Sequence, residues 1–204
     1  AIFNLEEHVS GSILVDGKNI VGETVRGSLH SGVAFIPESR ELDGLIGSFS
    51  IAENLILDTY DLAPNAKGLL MSPSTIKSQA EKRIAEFDIR SQGASELVSS
   101  LSGGNKQKVV LARELSRPVK VVVASQPTRG LDVGSIEFVH EKIVQERDAG
   151  RAVLLFSTEL DEVFALADRI AVMYRGAIID IVPASISRSD LGLLMAGIKP
   201  KVNS

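Results

Sequence analysis

The spacing of apolar and polar positions changes character along the chain and separates regions of different periodicity. Near the start, Ser12-Ile13-Leu14-Val15 runs into Asp16-Gly17, a tight-turn pair, and predicts a β-hairpin or meander. Gly32-Val33-Ala34-Phe35-Ile36-Pro37 is a short apolar run closed by proline and predicts a buried strand. A polar loop, Glu38-Ser39-Arg40, follows, and Gly44 and Gly47 predict irregular backbone. Ser50 can cap a short helix to about Leu55. Ser72-Pro73 then pairs a cap residue with a first-turn proline, and Ile76, Ala80, Ile84 and Phe87 share one helical face. The stretch from about Ser50 to Ser100 is expected to be mostly helical and to form a small subdomain. Beyond it the period shortens. The runs Val119–Ala124, Ala152–Phe156 and Ile170–Tyr174 read as strands. They are separated by helices lined with Ile136, Val139, Ile143 and Val144, and with Leu160, Val163, Phe164 and Leu166. Strands alternating with helices predict an α/β fold with a mainly parallel sheet covered on both faces. Arg175-Gly176 predicts a turn, Ala177–Val182 a returning strand, and Asp190–Ala196 a terminal helix before a frayed end.

Composition narrows the function classes. Hydrophobic residues make up 44% and charged residues 24%, ordinary for a globular domain long enough to bury a core. The net charge of −4 gives no general attraction to nucleic acid. No apolar run reaches the roughly 20 residues needed to span a bilayer. Cysteine is absent, and His8, His30 and His140 are far apart, so no thiolate or histidine metal site is expected. Ala1–Glu7 reads as the last turns of a helix, with no initiating Met, so a fragment of a longer chain is expected.

The candidate chemistry centres on Leu101-Ser102-Gly103-Gly104-Asn105-Lys106-Gln107. A hydroxyl and two glycines stand just ahead of a helical pattern running from Asn105 to about Ser116. Glycines let backbone approach an anion, the first-turn N–H groups point at it, and the helix dipole adds positive potential. Taken alone, Ser-Gly-Gly is an ordinary turn with Ser102 or Asn105 as cap. Asp132 alone is a cap for the next helix, and Thr158 alone a cap for the helix at Glu159.

Together, these segments resemble the nucleotide-binding domain of ABC-type ATPases over nearly the whole chain, from about Gly11 to Val182. In that resemblance Leu101, Ser102, Gly103, Gly104, Asn105 and Gln107 belong to the signature motif. Val121–Gln126 is the Walker B strand, and Gly130-Leu131-Asp132 the D-loop. Glu38 sits at the Q-loop glutamine position, after Phe35-Ile36-Pro37, and Thr158 at the switch-histidine position. The departures imply a degenerate site. Ser125 and Gln126 stand where the family has a metal-holding Asp and a water-polarising Glu, and neither is a carboxylate. Thr158 lacks an imidazole, and Glu38 is charged where a neutral amide is usual. The pattern Gly-x-x-x-x-Gly-Lys-Ser/Thr occurs nowhere in the chain, so the resemblance puts its P-loop ahead of Ala1.

The strings Pro37-Glu38-Ser39-Arg40 and Gln126-Pro127-Thr128-Arg129-Gly130-Leu131-Asp132-Val133-Gly134 resemble the C-terminal half of fused ABC importers of simple sugars and nucleosides. Gln126 with Ile136-Glu137-Phe138-Val139-His140 is more similar to the nucleoside branch than to the ribose branch. The resemblance implies one partial domain over 1–204, with a β-rich start (1–37), a helical subdomain bearing the signature (38–116) and a Walker B core (117–204). It implies ATP with Mg²⁺ as cofactor in a composite site completed by an N-terminal ABC domain of the same polypeptide, with Asp132 reporting across that interface. It also implies transmembrane permease subunits as partners, contacted through loop Leu45–Phe49, and a peripheral place on the cytoplasmic side of the cell membrane. The isolated chain is expected to be inactive and prone to self-association. Two other readings stand beside this one: an ABC domain of DNA repair or translation, and a non-hydrolysing structural ABC domain. The first predicts long heptads or a basic tract, which the sequence lacks.

Overall fold

The computed structural model describes residues 2, 9–68 and 70–198. The backbone divides into two compact units, Ala1–Phe156 and Ser157–Ser204. The expected helix at Ala1–Glu7 and the expected frayed end lie, but for Ile2, Gly197 and Ile198, outside the described residues.

In the first unit, β1 (Leu14–Val15) and β2 (Lys18–Asn19) form the expected hairpin. Its turn needs left-handed backbone at both central positions, and Asp16 and Gly17 adopt φ of 48° and 78°. Helix α1 (Val25–His30), capped by Thr24, leads into β3 (Val33–Ile36). Three of the four β3 residues are buried, as the apolar run predicts. Beyond Pro37, residues Arg40–Gly44 form a single π-helical turn, where glycine spacing had predicted irregular backbone. Helix α2 (Ile51–Leu55) starts on a full capping box: Ser50 and Glu53 each bond the other's backbone N–H.

The stretch from Ser50 to Ser100 is less helical than expected. Besides α2 it contains α3 (Pro73–Glu86) and one 3-10 turn at Val98–Ser100. The remainder is turns and a small hairpin, β4 (Ala66–Lys67) with β5 (Leu70–Met71). The physical reason is Asn65, 2% exposed, which binds the Thr59 carbonyl and hydroxyl at 3.0 Å each through its side chain while its own carbonyl accepts from Ser72. Those bonds satisfy buried backbone that a helix would otherwise satisfy internally.

Helix α4 (Gly103–Leu115) runs through the core, with Val109, Val110, Leu111 and Ala112 fully buried. β6 (Val121–Ser125) follows, then α5 (Val133–Asp148) and β7 (Ala152–Phe156). The strands form a parallel sheet in the order β3-β6-β7, so α4 and α5 are its crossovers. Coverage on both faces does not extend to β7. Leu154 is 42% and Phe156 44% exposed, because α5 packs on one side and the other lies open within this unit.

At the C-terminal end of α4, a buried ionic cluster fastens the helix to β3. The Glu114 carboxylate accepts from the Phe35 N–H (3.1 Å), Arg113 Nε (3.0 Å) and Arg117 Nη2 (3.0 Å). Arg117 also donates to the Leu29 and Val33 carbonyls, and Arg113 to the Gly44 carbonyl at 2.7 Å. Asp58 stands 3.6 Å from Arg117 and 3.8 Å from Arg113. Burial, then the nearby Glu114, pushes the Asp58 carboxyl upward from its ordinary range.

The second unit holds α6 (Leu160–Leu166), the antiparallel pair β8 (Arg169–Tyr174) and β9 (Ala177–Pro183), and α7 (Arg188–Met195). The run Ile170–Tyr174 thus pairs with β9 through the left-handed Arg175-Gly176 turn. Ile170, Val172, Leu191 and Leu194 make the core of this unit.

Candidate functional site

The site is built where α4 begins. Ser102 has extended backbone and caps the helix, its Oγ accepting from the Asn105 N–H (3.4 Å) and Asn105 Nδ2 (3.0 Å). The helix therefore starts two residues earlier than the apolar pattern suggests. Gly103 and Gly104 become its first turn, and their N–H groups have no carbonyl four residues back in the helix. Leu101 is buried beneath the turn.

Both glycines have side chains packed closely against them. A Cβ on Gly104 would collide with Ser135 Oγ and stand 3.2 Å from Asp132 Oδ2. A Cβ on Gly103 would lie 2.9 Å from Arg40 Nη2. Asp132 caps α5 as expected, accepting from the Ser135 N–H (3.0 Å) and hydroxyl (2.7 Å). Those bonds, the hydroxyl first, hold its carboxyl below the ordinary range. The starts of α4 and α5 thus face each other across Gly104 and Ser135.

Gln107 of the signature string is turned into the core. Its side chain, 2% exposed, donates to the Pro127 carbonyl at 2.9 Å and braces the loop leaving β6. Asn105 accepts from the Arg90 N–H at 2.8 Å, tying the helix start to the loop after α3.

Ser125, Gln126, Glu38 and Thr158 lie at or just past strand ends. Ser125 closes β6, and Gln126 follows in left-handed backbone, φ 47°, its N–H bonded to the Phe156 carbonyl at 2.8 Å. A bulky residue seldom adopts that conformation, and here the sheet bond fixes it. Glu38 leaves β3 and pairs with Arg129. Thr158 lies between β7 and α6 in the second unit, next to Ser157, whose Oγ accepts from the Glu159 N–H at 3.0 Å. The backbone cap of α6 is Glu159 itself.

The donors at the α4 start suit an anion. Ser102, with the N–H groups of Gly103 and Gly104, offers donors at a positive helix end. Ser125 and Gln126 are neutral, and the Glu38 carboxylate is engaged by Arg129. No trio of His, Cys, Asp or Glu suited to hold a metal occurs among the described residues.

Two functional candidates went unmarked as site residues in the sequence, Arg40 and Arg129. The strings Pro37–Arg40 and Gln126–Gly134 contain them, but only the folded chain shows the Arg40 side chain reaching Gly103 and the Arg129 carbonyl, and the Arg129 side chain pairing with Glu38.

Comparisons with known proteins bear on this arrangement. The chain is 43% identical over 198 residues to the nucleoside import ATP-binding protein NupA of Lactococcus lactis. It is 45% identical over 199 residues to the guanosine import ATP-binding protein NupO of Bacillus subtilis. Each alignment covers 97% of this chain and 39% of the relative, so the chain spans well under half of their length. Among solved structures, the fold matches the ATP-binding cassette MJ0796, described as a dimer in a post-hydrolysis state with ADP and Pi. The TM-score is 0.72 over 90% of this chain and 77% of that one, at 19% identity. The sequence profile of the ABC transporter family matches residues 1–129, and the chain belongs to that family.

Proposed function

We propose that this chain is part of the ATP-binding subunit of an importer of nucleosides or simple sugars. Its role is to supply the signature turn, Leu101–Gln107, to an ATP held by another domain. The names of the relatives, NupA and NupO, support the transport class and favour nucleosides. Their greater length leaves room for a second ABC domain in the same polypeptide.

The observation that carries the asymmetric role is the contrast between the two ends of the site. The α4 start keeps a capping hydroxyl and two first-turn glycines, whose N–H groups have no partner within the helix of 13 residues. The β6 exit keeps no carboxylate, since Ser125 and Gln126 occupy it. A helix start can complete an oxyanion environment electrostatically without supplying base or metal. Mg²⁺ then accompanies the ATP on the other domain. The permease subunits contact the loop Leu45–Phe49, where Ile46 and Phe49 are 39% and 38% exposed while Leu45 packs inward. No described helix is long and apolar enough to cross a membrane, in keeping with a peripheral subunit.

Ser102→Asp in the full-length protein with its permease tests this reading. Aspartate caps a helix about as well as serine, so folding is preserved. Its charge repels a phosphate at the same position. ATP hydrolysis is expected to fall about 100-fold with an unchanged melting temperature. Hydrolysis at the wild-type rate would overturn the reading.

A further inference from the structure

Arg40 has no part in the roles described so far, yet its guanidinium reaches the centre of the candidate site. Its Nη1 donates to the Arg129 carbonyl at 3.0 Å, in the loop leaving β6. Its Nη2 crosses the first turn of α4, 2.9 Å from where a Gly103 Cβ would stand, and 3.9 Å from the corresponding point at Gly130. Its Nε is buried without a hydrogen-bond partner. The acids on either side of it in sequence are each neutralised elsewhere. Glu41 pairs with Lys106 at 2.8 Å, and Glu38 pairs with Arg129. Arg40 thus spends its hydrogen bond on a carbonyl and keeps its positive charge beside Gly103, in the first turn of α4.

We infer that Arg40 is a positioning residue of the phosphate cradle, clamping the Gly103 turn to the Arg129–Gly130 loop and holding a fixed cation beside it. The inference rests on the proposed role of the Leu101–Gln107 turn. Arginine suits the task because its planar fork directs donors two ways at once and keeps its charge at any working pH. Lysine offers the charge but not the fork. The π-helical turn Arg40–Gly44 begins at this residue and is capped by Ser39, whose Oγ accepts from the Leu42 N–H at 3.1 Å. That fixed turn aims the side chain back at α4. A Cβ on Gly103 would push the guanidinium aside, a shift the flexible Arg40 side chain can make while losing this contact.

The test uses the full-length protein with its permease, measuring kcat and KM for ATP and the melting temperature. Variants are Arg40→Gln, Arg40→Lys, Gly103→Ala and the double variant Arg40→Gln/Gly103→Ala, with Ser102→Asp alongside. Arg40→Gln is expected to lower kcat about ten-fold, with KM changed less than about two-fold and the melting temperature unmoved. Arg40→Lys is expected to recover part of that loss. Gly103→Ala should reproduce most of the drop, and the double variant should add less than about two-fold, because both disturb one contact. Wild-type kcat for Arg40→Gln while Ser102→Asp is inactive would overturn this inference and leave the composite-site reading standing. A loss in Arg40→Gln that appears in KM alone would assign Arg40 to ATP binding, and one that follows a lowered melting temperature to a merely structural role; either would overturn the inference. Full activity in Ser102→Asp would overturn the reading beneath it.

Discussion

Asp88 illustrates how much one residue's setting decides. It sits just past α3 in left-handed backbone, φ 48°, and accepts Lys108 Nζ on both its carbonyl (2.8 Å) and its carboxylate (2.7 Å). The hydrogen bond and then the charge of Lys108 hold its carboxyl below the ordinary range. A depressed folded-state value means the carboxylate contributes stability above the unfolded value of 3.8, and that contribution is lost as pH falls through the folded value. Asparagine tolerates the same backbone and lacks the charge. Asp88→Asn should therefore be less stable than wild type in urea at neutral pH, with the gap closing as pH drops below 3.8. A gap that persists in acid would contradict this account. At this scale the caps Ser50, Ser102 and Asp132 could be read from sequence, because each bonds a backbone N–H three residues on. Asp88, Arg40 and Gln107 could not, since their partners Lys108, Arg129 and Pro127 come from distant segments.

At the scale of elements, α4 joins the anion-facing turn at one end to the buried ionic cluster at the other. Breaking a buried ion network from one side leaves its partners unpaired and costs about 3–5 kcal/mol. Arg117→Met, which removes one of the three donors to Glu114 and the side-chain donor to two carbonyls, is expected to lose about that much in urea unfolding, with an unchanged dependence on denaturant. A loss under about 1 kcal/mol would show that water replaces the guanidinium. Helix α2 gives a smaller case. Ser50→Ala removes one half of its capping box and should cost about 1 kcal/mol. The same short helix carries Asn54, fully buried, whose side chain bonds Ile46, Phe49 and Ser50 backbone and shapes the loop Leu45–Phe49. Periodicity located these helices well. It overestimated the helix content between Ser50 and Ser100, because Asn65 satisfies loop backbone from within the core. Another tertiary contact is the edge-to-face pair Phe87–Phe138 at 6.5 Å, with Lys108 and Lys142 over the rings.

At the scale of the whole molecule, β7 ends the described parallel sheet with an apolar face in view. Exposed strand edges with apolar faces favour pairing between chains. The isolated chain is therefore expected to self-associate in sedimentation experiments, and Leu154→Lys to weaken that association at unchanged fold. Association unaffected by this change would place the contact elsewhere. By itself, the sequence determined the α/β class, the alternation of strands and helices from β6 onward, the hairpin turn residues and the Ser102 cap. Those follow from local rules: periodicity, caps and positive-φ turns act within a few residues. Only tertiary structure decided that the signature turn lies against Arg40 and Ser135, that Gln107 braces the β6 exit, and that Glu38 is neutralised by Arg129. The physical reason is that close approach and charge pairing depend on distances between segments far apart in sequence, which local propensity does not encode.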